Sequence, residues 1–359
     1  MSTILVRSIS LVGLRRYGDR TSLFWLAVTV LLCGSSGCKV LTPRQIPASK
    51  RFVSPELRQQ TQNQIEVGAP NALVDTVGWV VGIPSKVLLW DRRADNHNVS
   101  PTTLKSVADY LHTNHLGHVK VRANQYAPID DFKRLTKNKT IAWPYRYTLG
   151  LASVATNTIL PGRIFGGDNF NPYTQTINLY SDIPVVALHE GGHAKDFTRR
   201  ELQGTYALAY SFVPLWHETI ATQDTLAYLH HTGNRSGLEE ANRILYPAYG
   251  TYVGSTIGNY FPAAGAPIYA GALVAGHLNG RALNRRLRKS PALETVAYDS
   301  STAPPSHLAE PITKGSDSNI AIASTNPAPT QTLVMPAAAD DTSSMVPAST
   351  ATWLMPSTD

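Results

Sequence analysis

Cysteine is nearly absent: 359 residues include two, Cys33 and Cys38, both near the start. That excludes a disulfide-stapled fold, so stability has to come from an apolar core and from any bound metal. Charge is sparse as well, at 16% of residues, and nothing ionisable as Asp, Glu, Lys or Arg lies between Arg243 and Arg281. The formal net charge of +7 does not describe a nucleic-acid face. No dense basic patch interleaves with aromatics, and the run Arg281…Arg285-Arg286-Leu287-Arg288-Lys289 stands alone after an apolar segment. Long hydrophobic runs are missing too. The apolar core Ser22–Leu32 is short of the about 20 residues that a comfortable membrane span needs.

What surrounds that core gives it a meaning. Arg7, Arg15, Arg16 and Arg20 precede it, and Ser35-Ser36-Gly37-Cys38 follows, so residues 1–38 read as a targeting segment rather than as fold. The segment resembles a bacterial lipoprotein signal, in which cleavage before the cysteine frees Cys38 for lipid attachment; leucine is usual where Ser35 stands. An uncleaved N-terminal anchor is the competing reading. Both deliver the domain across a membrane and keep it there, in the bacterial cell envelope outside the cytoplasm. Cleavage removes four arginines and one aspartate, taking the net charge from +7 to +4, a mild basicity that suits an anionic lipid surface. Residues 39–72, with frequent Gln, Pro and Ser, read as a tether. Residues 291–359, dominated by Ser, Thr, Pro and Ala, read as disordered. A single domain, 73–290, remains, roughly 220 residues long.

Within it, His189-Glu190-Gly191-Gly192-His193 names a reaction. On a helix, positions i and i+4 share a face, so both imidazoles can reach one ion, and Glu190 stands where a carboxylate can take a proton from a metal-bound water. The context supports a helix: Thr176–Tyr180 alternates as a strand, Asp182 and Pro184 supply a cap and a first turn, and Val185–Leu188 begins an apolar stretch. The two glycines weaken that helix by roughly 1 kcal/mol each relative to alanine and are read as room for a neighbouring segment.

A catalytic zinc usually has three protein ligands and an open position. Asp196 and Arg199 occupy the places where an HxxGxxH continuation needs Gly and His, so the third ligand has to come from elsewhere. The segment Trp216–Ala227 offers Glu218, 25 residues beyond His193. Here the chain resembles the gluzincin metallopeptidases, which pair HExxH with a glutamate in an ExxAD-like helix. Ala221 matches that pattern, Thr222 stands in the aspartate's place, and Asp224 is two positions late. The order of elements is similar to that of membrane-linked and periplasmic lipoprotein proteases of this class, over roughly residues 100–230.

The resemblance implies an α+β, mainly helical fold: a zincin-like catalytic domain with a small sheet and an apolar helical hairpin. It implies Zn2+ as cofactor, held by His189, His193 and Glu218, with Glu190 as general base and Thr176–Tyr180 pairing with an extended protein or peptide substrate. Asp196, Asp224 and His217 are the candidates for groups that orient the ligands. Asp196 is equally a member of the Lys195-Asp196…Arg199-Arg200 charge cluster, and Asp224, on another helix face from Glu218, is equally a solvated residue. His112, His115 and His118 read as cations at a helix C-terminus rather than as a ligand set. The oxyanion donor stays open among His230, His231, Tyr228 and Arg243.

The charge-free region has two halves, Leu245–Tyr260 and Ala263–Leu278, with glycines four apart at Gly250, Gly254 and Gly258. That spacing allows close helix contact, in a membrane-inserted hairpin across 245–278 or in a tightly packed helix pair. The segment Asp75–Lys86 could rest on lipid, and the charge-free stretch Gln203–His217 could wall the site. The alternative to a peptidase is a non-catalytic envelope lipoprotein, or a membrane assembly factor, with a structural or vestigial zinc site. A di-iron protein lacks its second ExxH.

Overall fold

A computed structural model of the chain describes residues 41–47, 53–58, 64–210 and 212–290. All of these fall in one unit, Met1–Pro311. The leader 1–38, the tail 291–359 and a second unit, Ile312–Asp359, lie outside the described residues.

The fold is α+β and mainly helical, as the sequence led one to expect. Its one sheet has four short strands, β1 (Ile65–Val67), β2 (Lys120–Ala123), β3 (Asn169–Asn171) and β4 (Thr176–Leu179), in the order β1-β2-β4-β3. β1, β2 and β4 are parallel, while β3 turns back antiparallel with Phe170 opposite Ile177. Parallel neighbours require crossovers. Helices α1 (Ala72–Val81), α2 (Ile83–Leu89) and α3 (Pro101–Thr113) provide the first, and α4 (Pro128–Lys137) and α5 (Leu151–Ile159) belong to the second. The alternation of β2 explains its burial on both faces. Val121 and Ala123 join the apolar core, whereas Lys120 and Arg122 are buried with Glu66 and Asp131 as ion-pair partners.

Helices then follow without interruption by strands: α6 (Pro184–Thr198), α7 (Gln203–Tyr210), α8 (Pro214–His231), α9 (Arg235–Tyr260) and α10 (Gly265–Lys289). Pro184 opens α6 as expected, but Asp182 does not cap it. Its carboxylate instead takes hydrogen bonds from Ser100 N (3.0 Å), Ser100 Oγ (2.6 Å) and Thr103 Oγ1 (2.6 Å), tying the start of α3 to the entry of α6. The two glycines of α6 are close-approach points. A Cβ on Gly191 would lie 2.7 Å from the Tyr110 ring of α3, and one on Gly192 would lie 3.0 Å from the Ala221 carbonyl of α8. Glycine therefore lets α6 sit deep between α3 and α8.

The hairpin is a closely packed helix pair. A Cβ on Gly250 would lie 2.4 Å from Ala272 O, and one on Gly280 would lie 2.0 Å from Asn242 O. No single described helix, in the hairpin or elsewhere, is long and apolar enough to cross a membrane. The segment read as a tether contributes more than a leash. Leu41, Ile46, Val53 and Leu57 are buried, β1 joins the sheet, and Arg44 N donates to Gln223 O of α8 at 3.1 Å. These apolar residues are too widely spaced among Pro and Gln to show a period.

Candidate metal centre

His189, Glu190 and His193 come from successive turns of α6, and Glu218 comes from the second turn of α8, whose close approach the Gly192–Ala221 contact permits. His189 Nε2 lies 3.0 Å from Glu218 Oε2, His193 Nε2 lies 3.4 Å from Glu218 Oε1, and the two Nε2 atoms are 3.1 Å apart. A tetrahedral ion with ligands about 2.0–2.1 Å away has ligand–ligand edges of about 3.3–3.4 Å. The spacing therefore fits one ion. Among the described residues, His189, Glu190 and His193 form the metal-sized group, with ligand atoms within 4.8 Å of one another. All four side chains are buried.

Ligand imidazoles need acceptors or donors for their other nitrogen, and these are present. His189 Nδ1 lies 3.4 Å from Thr222 Oγ1, so the residue in the expected aspartate's place does reach the histidine, with a hydroxyl. His193 Nδ1 is hydrogen-bonded to the Tyr210 hydroxyl. Tyr252, from α9, donates a hydrogen bond to the Glu218 carboxylate.

Among the described residues, none of the three expected orienting groups hydrogen-bonds a ligand histidine. Asp196 accepts from Arg199 Nε (2.8 Å), Arg200 Nη2 (2.7 Å) and the Tyr206 hydroxyl, and so belongs to the charge cluster. Asp224 is fully buried, not solvated. It takes the Lys195 ammonium at 2.9 Å, the Ile46 amide at 2.6 Å and the Tyr110 hydroxyl, beneath the site. His217 is buried and stacks on Tyr210 at 4.0 Å between ring centroids, and burial pushes its pKa down to about 4. Tyr210 lies between it and His193, stacked on one ring and hydrogen-bonded to the other. Of the open oxyanion candidates, Tyr228 packs edge-on against Tyr110, and Arg243 pairs with Asp91.

Sequence reasoning missed Tyr210 and Tyr252 by name. Tyr210 lies in the charge-free stretch Gln203–His217, which pointed to a wall of the site without selecting a residue. Tyr252 had no local signal, because the fold of the hairpin onto α8 brings it in. The strand Thr176–Tyr180 also differs from expectation: β4 is paired on one side by β2 and on the other by β3, so its edges are occupied. The outer position next to it belongs to β3, which packs on α6.

Charge in the site favours a cation. Burial lifts the pKa of Glu190, against the charges of His193 and His189, and the Glu218 charge adds to the lift. Burial would raise Glu218 as well, but the charge of His193 and hydrogen bonds from both histidines hold it well below the usual carboxylate range. Tyr252 is pushed well above its ordinary value, first by the charge of Glu218 and then by burial. Two buried carboxylates thus have imidazoles as their nearest cationic partners, an arrangement that a divalent ion would neutralise. No protein-family model, curated protein or solved structure matches this chain.

Proposed function

We propose that this chain is a zinc-dependent peptidase with a zincin-like domain, held at the membrane of a bacterial cell envelope through Cys38. The observation that carries the reading is the convergence of His189 Nε2 and His193 Nε2, 3.1 Å apart, on the two Glu218 carboxylate oxygens at 3.0 and 3.4 Å, with a second carboxylate, Glu190, beside them. Two histidines and a glutamate with one open position are a ligand set suited to catalytic zinc. A zinc ion bound there supplies a Lewis acid and lowers the pKa of water.

The residues of the chain divide the remaining work. Glu190, beside the ligand histidines, accepts a proton from the attacking water and returns it to the leaving amine. Glu218, held anionic, is the ligand and not the base. Tyr252 steadies the Glu218 carboxylate in its ligand position through the hydrogen bond it donates. An extended peptide adds to β3, the outer strand against α6, by backbone hydrogen bonds.

Metal analysis of the purified protein and cleavage of an unfolded protein substrate test this together. Wild type should carry zinc and lose cleavage on chelation, and Glu218→Ala should lose the metal. Glu190→Gln should keep the metal while hydrolysis falls by about 10²–10⁴-fold. If Glu190→Gln cleaves as well as wild type, the mechanism is wrong. Stoichiometric metal without chelator-sensitive cleavage would turn the assignment to the non-catalytic envelope lipoprotein.

A further inference from the structure

Helices α1 and α2 are amphipathic in the reverse sense for a pair on a wet surface. Leu73, Val77 and Val80 of α1, then Ile83 and Val87 of α2 and Trp90 at its cap, form an outward stripe at i, i+3 and i+4 spacing, each 41–76% exposed. The inward stripe is Gly78, Gly82 and Lys86. The glycines allow contact with the domain, since a Cβ on either would come within 2.5 Å of Arg163 O or Asp95 Cβ. Lys86 is the sole ionisable residue from Thr76 to Trp90, and its ammonium is withdrawn to Trp79 O (3.0 Å) and Asp95 O (3.1 Å). The outer face is therefore apolar and free of exposed charge. A contiguous patch of that kind marks an interaction surface rather than the scattered apolar residues of an ordinary exterior.

Its borders identify the partner. Together α1 and α2 have the length and composition of a span, yet they are bent by 49° at Gly82. The Asp75–Arg163 ion pair (2.7 Å) and the hydrogen bond from Lys86 to Asp95 O (3.1 Å) fasten the pair to the domain, with its apolar side outward. At the far end Trp90, in a left-handed conformation (φ 52°), stacks on His277 at 4.6 Å, and the Arg281 guanidinium lies over its ring at 4.7 Å. Along that side of α10, Val274 and Leu278 are exposed before Arg281, and the exposed Arg285 follows one turn later. Apolar face, tryptophan at its margin and arginines beyond is the sequence of chemistries met on passing from acyl chains through the interface to anionic headgroups.

We propose that α1–α2 docks on the surface of a phospholipid bilayer containing anionic lipid, with Val80 and Val87 among the acyl chains and Arg281 and Arg285 among the headgroups. This contact is additional to any lipid on Cys38 and independent of hydrolysis. It is tested on the full chain with Cys33 and Cys38 replaced by serine and a single cysteine placed at Val87 or, as a control, at the exposed Lys105 of α3. Each carries an environment-sensitive fluorophore and is mixed with vesicles of phosphatidylcholine and phosphatidylglycerol. The Val87 probe should blue-shift, lose quenching by iodide and gain quenching by nitroxide-bearing lipid, while the Lys105 probe should not change. Equal iodide access at Val87 with and without vesicles overturns the proposal. Shielding of Val87 before vesicles are added also overturns it, in favour of contact between copies of the chain.

Discussion

Three residues between α2 and α3, Trp90, Asp95 and His97, hold φ values of 52°, 44° and 54° without being glycine. Such conformations are uncommon and persist where contacts over-determine them. At Asp95 the amide donates to Ser181 Oγ at 2.8 Å and the carbonyl accepts from Lys86, which leaves its carboxyl buried near that of Asp168. Burial raises its pKa first and the charge of Asp168 adds to that, to about 6, against a hydrogen bond from Ser85 and the charge of Lys86. The folded state thus binds the proton more tightly than the unfolded chain, where the value is about 3.9. Its contribution to stability is complete below pH about 4 and is lost as the pH rises through about 6. Asparagine tolerates the left-handed region and does not titrate. Asp95→Asn should therefore match wild type near pH 4 and exceed it above pH 7, by about 3 kcal/mol. Melts of both proteins across that range check this; parallel pH curves for the two would exclude it.

At the scale of elements, α6 and α8 carry the ligands, and the buried Lys195–Asp224 pair beneath them joins the two helices to α3 and to the segment 41–46. Burial lowers the pKa of Lys195, but Asp224 opposes that shift. Removing one partner of a buried pair strands the other, at about 3–5 kcal/mol. Lys195→Met should lower stability to denaturant by that amount and weaken metal binding with it; a loss below about 1 kcal/mol would show that the pair is solvated. The helices themselves were legible in the sequence. HEGGH, the Glu218 helix and the two halves of the hairpin are long, with proline or glycine signals at their ends, and the fold places all of them. Asp224 lies six residues beyond Glu218 and meets Lys195 and the Tyr110 hydroxyl instead of the ligand histidines. What one sequence could not show is that its face meets a lysine and a tyrosine from other helices. β3 escaped notice because Asn169-Phe170-Asn171 has neither length nor β-branched residues, and it is a strand only because β4 is beside it. The packing of Leu41 and Ile46 was hidden in the same way.

For the whole molecule, four helices meet at the candidate site: α6 and α8 through His189, His193 and Glu218, α7 through Tyr210, and α9 through Tyr252. An ion that binds only when these helices are together adds its binding free energy to the folded state. At a free metal concentration about 100 times the Kd that contribution is about 2.7 kcal/mol. For a domain of about 150–250 residues each kcal/mol moves the Tm by about 2–4 °C, so chelation should lower the midpoint by roughly 5–11 °C. The variants separate ligation from chemistry. Glu190→Gln should keep the metal-dependent part of the midpoint, because Glu190 serves the reaction, while Glu218→Ala should melt alike with and without metal. Calorimetry of the three proteins at fixed metal concentration decides the matter. If chelation removes the metal stoichiometrically and leaves the wild-type midpoint unmoved, the ion does not hold the helices together, because binding confined to the folded state must raise its stability.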